Sequence, residues 1–90
     1  MSVTIKINSL LQKYTDGQES VEVWGANPME CLSALDSKYP KLKKWLYDKE
    51  GNLRPQMWVF ANGERLFAEE LTRPLKDGDE LSILLAIAGG

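Results

Sequence analysis

The sequence predicts an α+β domain in which a mixed sheet packs on one main helix. Three observations lead there. Apolar and polar residues alternate at period two near both ends of the chain and around residues 57 to 61, as half-buried strands do. One strong helix start stands at Asn27-Pro28-Met29-Glu30. Finally, 90 residues are enough for one core only, being about 0.6 of the roughly 150 residues of a typical domain.

Val3, Ile5 and Ile7 alternate with Thr4, Lys6 and Asn8, so the first strand buries its odd residues, and Leu10 and Leu11 are expected to extend it. Asp16-Gly17 signals a turn, and Val21 and Val23 beyond it form an antiparallel partner with both valines inward. The helix then opens with Asn27 as cap, Pro28 in the first position and Glu30 at capping-box spacing. It is predicted to run to about Tyr39, with Cys31, Leu32, Leu35 and Tyr39 on its buried stripe and Pro40 as its stop. Leu42, Trp45 and Leu46 are expected in a short helical turn packed underneath, and Asp48 to Asn52 in a surface turn. Met57 to Ala61 reads as a strand closed by the Asn62-Gly63 turn, with Arg65 to Phe67 as its return. After a polar stretch and the turn Lys76-Asp77-Gly78-Asp79, residues Leu81, Ile83, Leu85 and Ile87 alternate through a last strand. Hairpin, helix, hairpin, strand is the order of a β-grasp, the ubiquitin-like roll. The domain is expected over 1–86, followed by a flexible Gly-Gly tail over 87–90.

Absent residues exclude whole classes of function. Without histidine there is no Ser-His or Cys-His pair, no histidine base and no histidine-held metal. The single cysteine, Cys31, allows no internal disulfide and no multi-cysteine zinc site. Neither GxGxxG nor GxxxxGK[ST] occurs to cradle a phosphate. A net charge of -2 with mixed signs gives no field for nucleic acid, and no apolar run reaches the ~18 residues of a membrane span. The first residues lack the basic and apolar regions of a signal peptide, so a cytoplasmic location is expected. These exclusions favour a carrier or interaction module over an enzyme: no catalytic residue, bound cofactor or metal is assigned.

The sequence ends Ala86-Ile87-Ala88-Gly89-Gly90 directly after the last strand. Two terminal glycines arise by chance in about 1 chain in 200 at a background near 7%. Residues without side chains can thread a narrow channel, and three extended residues carry a carboxylate about 10 Å beyond the body. Such a carboxylate can enter another protein's active site and be activated there by ATP.

With the β-grasp order, the Leu75-Lys76-Asp77-Gly78-Asp79-Glu80 turn, Val59 to Gly63 and the final Ala88-Gly89-Gly90, the chain resembles the ThiS/MoaD family of sulfur-carrier proteins over essentially its whole length. The resemblance implies that Gly90 is adenylated by an ATP-using enzyme related to ubiquitin-activating enzymes and then converted to a thiocarboxylate. Ile87, Ala88 and Gly89 would be its thin arm. The segment Lys41 to Arg54 and the proline-free Leu84-Leu85-Ala86-Ile87 look more like carriers that feed a PLP-dependent cysteine or homocysteine route, with a metallopeptidase releasing the product, than like molybdopterin or thiazole carriers. A ubiquitin-like modifier joined to lysines through Gly90 is the alternative of another class.

Period two sends Trp58 and Phe60 to the face opposite Met57, Val59 and Ala61, and places Leu84 and Ala86 on that same outer face. An apolar patch beside a reactive tail reads as a partner-binding surface. Cys31 reads as a buried structural thiol, and Lys38, Lys41, Lys43, Lys44 and Lys49 as a solvated helix end. The acidic residues Glu69, Glu70, Asp77, Asp79 and Glu80 read as scattered surface charge.

Overall fold

The computed structural model describes residues 1–86. Five strands, β1 (Ser2–Ile7), β2 (Ser20–Trp24), β3 (Met57–Ala61), β4 (Glu64–Leu66) and β5 (Glu80–Leu85), form one sheet in the order β2-β1-β5-β3-β4. The parallel pair β1 and β5 occupies the middle, and the other pairings are antiparallel. The crossover between the two hairpins carries α1 (Pro28–Lys38) and α2 (Pro40–Leu46). This is the mixed five-stranded sheet with a helix on one face that the alternation and the single strong cap predict.

The inward residues are those of the period-two reading. Val3, Ile5, Ile7, Val21, Val23, Met57, Val59, Ala61, Leu81 and Ile83 are buried against Cys31, Leu32 and Leu35 of α1. Each fully buried aliphatic side chain contributes about 1.5–3 kcal/mol, so the stripe and the sheet face hold each other in place. The start of α1 is fixed as its sequence implies. Asn27 Oδ1 accepts from the Glu30 N–H at 2.8 Å, while Glu30 reaches back one residue further than a simple capping box, accepting from the Ala26 N–H at 2.9 Å. Both turn dipeptides supply left-handed backbone: Asp16 and Gly17 lie at φ 53° and 79°, Asn62 and Gly63 at 49° and 86°.

Three expectations are corrected. Leu10 and Leu11 do not prolong β1 but lie in a 3-10 turn over Ser9–Tyr14, with Leu11 fully buried and Leu10 exposed. Adjacent leucines in a strand would face opposite ways, whereas the turn sends Leu11 into the core, and its N–H bonds the Asn8 carbonyl at 2.8 Å. Pro40 stops α1 as expected, after Lys38, and also begins α2, because its fixed φ and missing N–H suit a first turn. In α2 only Leu42 and Leu46, four apart, share the buried stripe. Trp45 lies to the side of it, 42% exposed, with its ring centroid 5.4 Å from that of Tyr14. Lastly, β4 begins and ends one residue earlier than predicted. Leu66, paired with Val59, points inward, and Phe67 lies beyond the strand and is exposed.

Candidate functional site

The outer face of the sheet is built by the residues that alternate with the core. On β3, Met57, Val59 and Ala61 are buried, which turns Trp58 and Phe60 outward. Sheet register then sets their neighbours: Leu84 of β5 lies across from Trp58, while Ser82 of β5 and Arg65 of β4 flank Phe60. The Trp58 and Phe60 rings meet at 6.5 Å with their planes tilted by 49°. Trp58, Phe60 and Leu84 are thus brought together as expected, but each is half-buried, because they cover one another. Ala86 is also half-buried and lies just past the end of β5, where its N–H donates to the Gln56 carbonyl at 2.7 Å. Ile87, Ala88, Gly89 and Gly90, the predicted arm and reactive end, lie outside the described residues.

Two members of this face escaped sequence reasoning. The Arg65 guanidinium lies 3.8 Å over the Trp58 ring and 4.6 Å over the Phe67 ring, a double cation–π contact. A signal existed, since Phe67 follows Arg65 by two and Arg65 lies on the return strand of a hairpin whose first strand carries Phe60. Beside them, across β5, runs a shallow depression of about 370 Å³ lined by Lys6, Phe60, Ser82 and Leu84 among others. Lys6 is paired with Glu80 at 3.6 Å, an exposed contact of small energetic weight.

On the helical side a larger groove of about 870 Å³ runs between α1, α2 and the segment after α2. Lys43, Lys44 and Lys49 line it, whereas Lys38 and Lys41 do not, so the basic run divides between groove and surface. At the groove, burial pushes the Asp36 carboxyl up to about 6, an effect that the Tyr47 phenol and Lys43 partly offset. Burial and the neighbouring Asp36 raise Tyr47 to about 12. Asp36 Oδ1 has no hydrogen-bond partner among the described residues. Cys31 is fully buried on the α1 stripe and its thiol is pushed up by burial, in keeping with a structural role.

Three of the acidic residues are engaged locally. Asp77 accepts from the Ser2 N–H at 2.8 Å, Glu70 pairs with Arg73 at 3.7 Å, and Asp79 accepts from the Lys76 N–H at 2.8 Å. Among the described residues no three carboxylates or thiols converge as a metal site would require. None of the described helices is long and apolar enough to cross a membrane.

The geometry has close counterparts. The ThiS family matches residues 5–90. The sulfur carrier protein CysO of Mycobacterium tuberculosis is 33% identical, and the alignment covers the whole of both chains. Among solved structures, that of the Amycolatopsis orientalis BexX/CysO complex contains a chain 37% identical, with a TM-score of 0.85 and coverage of 98% of this chain and 99% of that one. SAMP1 of Haloferax volcanii superposes with a TM-score of 0.88 at 27% identity, with both chains covered completely. With the ubiquitin-like β-grasp and a family match that extends from β1 to the final residue, this chain belongs to the ThiS family.

Proposed function

We propose that this chain is a sulfur carrier, a cosubstrate of partner enzymes rather than an enzyme, and that its sulfur serves the synthesis of cysteine or homocysteine. The observation that carries this reading is the position of β5. This one strand bears Leu84 on the aromatic outer face and leads directly to Gly90, in a chain that matches the mycobacterial carrier end to end. An enzyme holding the face formed by Trp58, Phe60, Leu84 and Ala86 has the C-terminal carboxylate at hand. The four residues 87–90 span at most about 14 Å.

In this reading an oxygen of the Gly90 carboxylate attacks the α-phosphorus of ATP bound to a ubiquitin-activating-like adenylyltransferase, and pyrophosphate leaves. A sulfide-level donor then attacks the acyl carbon and expels AMP, which leaves a thiocarboxylate. The tethered sulfur attacks an activated amino-acid intermediate on a PLP-dependent synthase. An acyl shift from sulfur to nitrogen gives an amide at Gly90, and a metallopeptidase hydrolyses it. The carrier contributes the docking face and an arm, Ile87 to Gly89, whose alanine and glycine next to Gly90 offer little steric hindrance. ATP belongs to the activating partner.

A second reading, a protein modifier amide-linked to lysines through Gly90, is favoured by one finding: small archaeal modifier protein 1 of Methanosarcina acetivorans, 28% identical, superposes with a TM-score of 0.88. Intact-mass analysis after incubation with the activating enzyme, ATP and a sulfide donor separates the two. The mass of an oxygen-to-sulfur exchange supports the carrier, and high-mass conjugates support the modifier. No change, or continued pyrophosphate exchange after Gly90 is deleted, refutes both.

A further inference from the structure

Arg65 stands out on the outer face because, among the described residues, none of its side-chain donors is used. Among the described residues its guanidinium makes no hydrogen bond and no ion pair, whereas Lys6 on the same face is paired with Glu80 and Arg73 nearby with Glu64 and Glu70. Its Nε is buried without an acceptor. Such a donor is costly, and structures rarely retain one without a reason. The two Nη groups are the donors left open. Trp58 and Phe67 hold the guanidinium plane between them at 3.8 and 4.6 Å, so little side-chain freedom remains to be lost on binding.

An arginine laid over aromatic rings and lacking a carboxylate is matched by a partner that brings the carboxylate. Flanked by Trp58, Phe67 and the cross-strand Phe60, the pair would form in a water-poor setting, where an ion pair discriminates among partners more than it does at a rim. The occupant follows from continuity. The patch spans β4, β3 and β5, and its Leu84 edge lies on β5, the strand that precedes the C-terminal segment, so the protein that modifies Gly90 is the one placed to sit against it. We infer that Arg65 is the charged anchor of the docking face and that the adenylating partner presents an acidic side chain to it, in an otherwise apolar contact. The inference deepens the carrier reading and rests on it.

The test uses the full chain with its adenylating partner, read as pyrophosphate exchange over a range of carrier concentrations. Arg65→Ala is expected to raise KM for the carrier about tenfold or more with kcat little changed, as loss of an interface arginine does. Arg65→Lys is expected to fall between, since it keeps the charge and loses the planar fork. Arg65→Glu is expected to be worse than alanine and to be rescued by exchanging one interface carboxylate of the partner for lysine. Circular dichroism and melting curves confirm that the variants are folded. KM values for Arg65→Ala and Arg65→Glu within twofold of the unmodified chain, while Trp58→Ala still raises KM, would overturn the inference and leave the carrier reading intact. Failure of the unmodified chain to support exchange at all would overturn both.

Discussion

Replacing Asp36 by asparagine is expected to stabilise this protein at neutral pH and to flatten its stability profile below pH 7. Asp36 sits on α1 at the wall of the large groove, with the Tyr47 phenol and the Lys43 ammonium as its nearest polar influences and Lys44, Asp48, Lys49 and Arg54 further around the lining. Burial raises its carboxyl from 3.8 to about 6, so the folded chain holds this proton more tightly than the unfolded chain does. The sign follows: the stabilisation is full below pH 4 and is lost as pH rises through 6. At pH 7 the native state carries a partly buried charge that asparagine lacks. The rise from 3.8 to about 6 corresponds to about 3 kcal/mol for a sealed site, and solvent screening of a partly buried carboxyl reduces this to about 1–2 kcal/mol. Urea denaturation at half-unit steps from pH 3.5 to 8 measures it. The two proteins should coincide near pH 3.5 and diverge through pH 4–6, with the Asp36→Asn variant the more stable above pH 6.5 and m-values equal. Parallel profiles, or an unmodified chain that gains on the variant as pH rises, would refute the argument.

Other positions give predictions of different kinds. At Gly25 an added Cβ would lie 2.8 Å from Cys31 Sγ and 2.9 Å from the Cys31 backbone nitrogen. Gly25→Ala should therefore cost about 1–3 kcal/mol, and Cys31→Ala should not rescue it, because the backbone nitrogen stays in place; a urea midpoint equal to that of the unmodified chain would contradict this. Asn62→Ala leaves alanine at φ 49°, which asparagine tolerates better, and removes bonds to the Glu80 N–H and Asp79 Oδ1 at 3.0 and 3.2 Å, an expected loss of about 1–2 kcal/mol. In the same variant NMR titration should find the Asp79 carboxyl, now held below its usual range by the Lys76 N–H and Asn62, moved upward. Trp58→Ala and Phe60→Ala should weaken partner docking about tenfold or more while costing only about 1–2 kcal/mol of stability, since both rings are half-buried; a large drop in Tm with unchanged KM would place them in the core instead.

The chain's local chemistry determined its elements. Asn27-Pro28 gave α1 its start, period-two alternation oriented β1, β3 and β5, and Asp16-Gly17 and Asn62-Gly63 set the hairpin turns. The outer face was legible for the same reason, since alternation alone separates Trp58 and Phe60 from Met57, Val59 and Ala61. Only tertiary structure decided what lies beside what. That Leu84 faces Trp58 depends on the register of strands more than 20 residues apart, and the guanidinium of Arg65 reaches the Trp58 ring only once β4 has paired with β3. The groove that raises Asp36 is likewise assembled from α1, α2 and the segment after them, and its effect arises from desolvation, which no local pattern encodes. Leu10 and Trp45 depart from expectation because nearest neighbours alone do not place them: the outcome turned on the single place per helical turn that the core could accept.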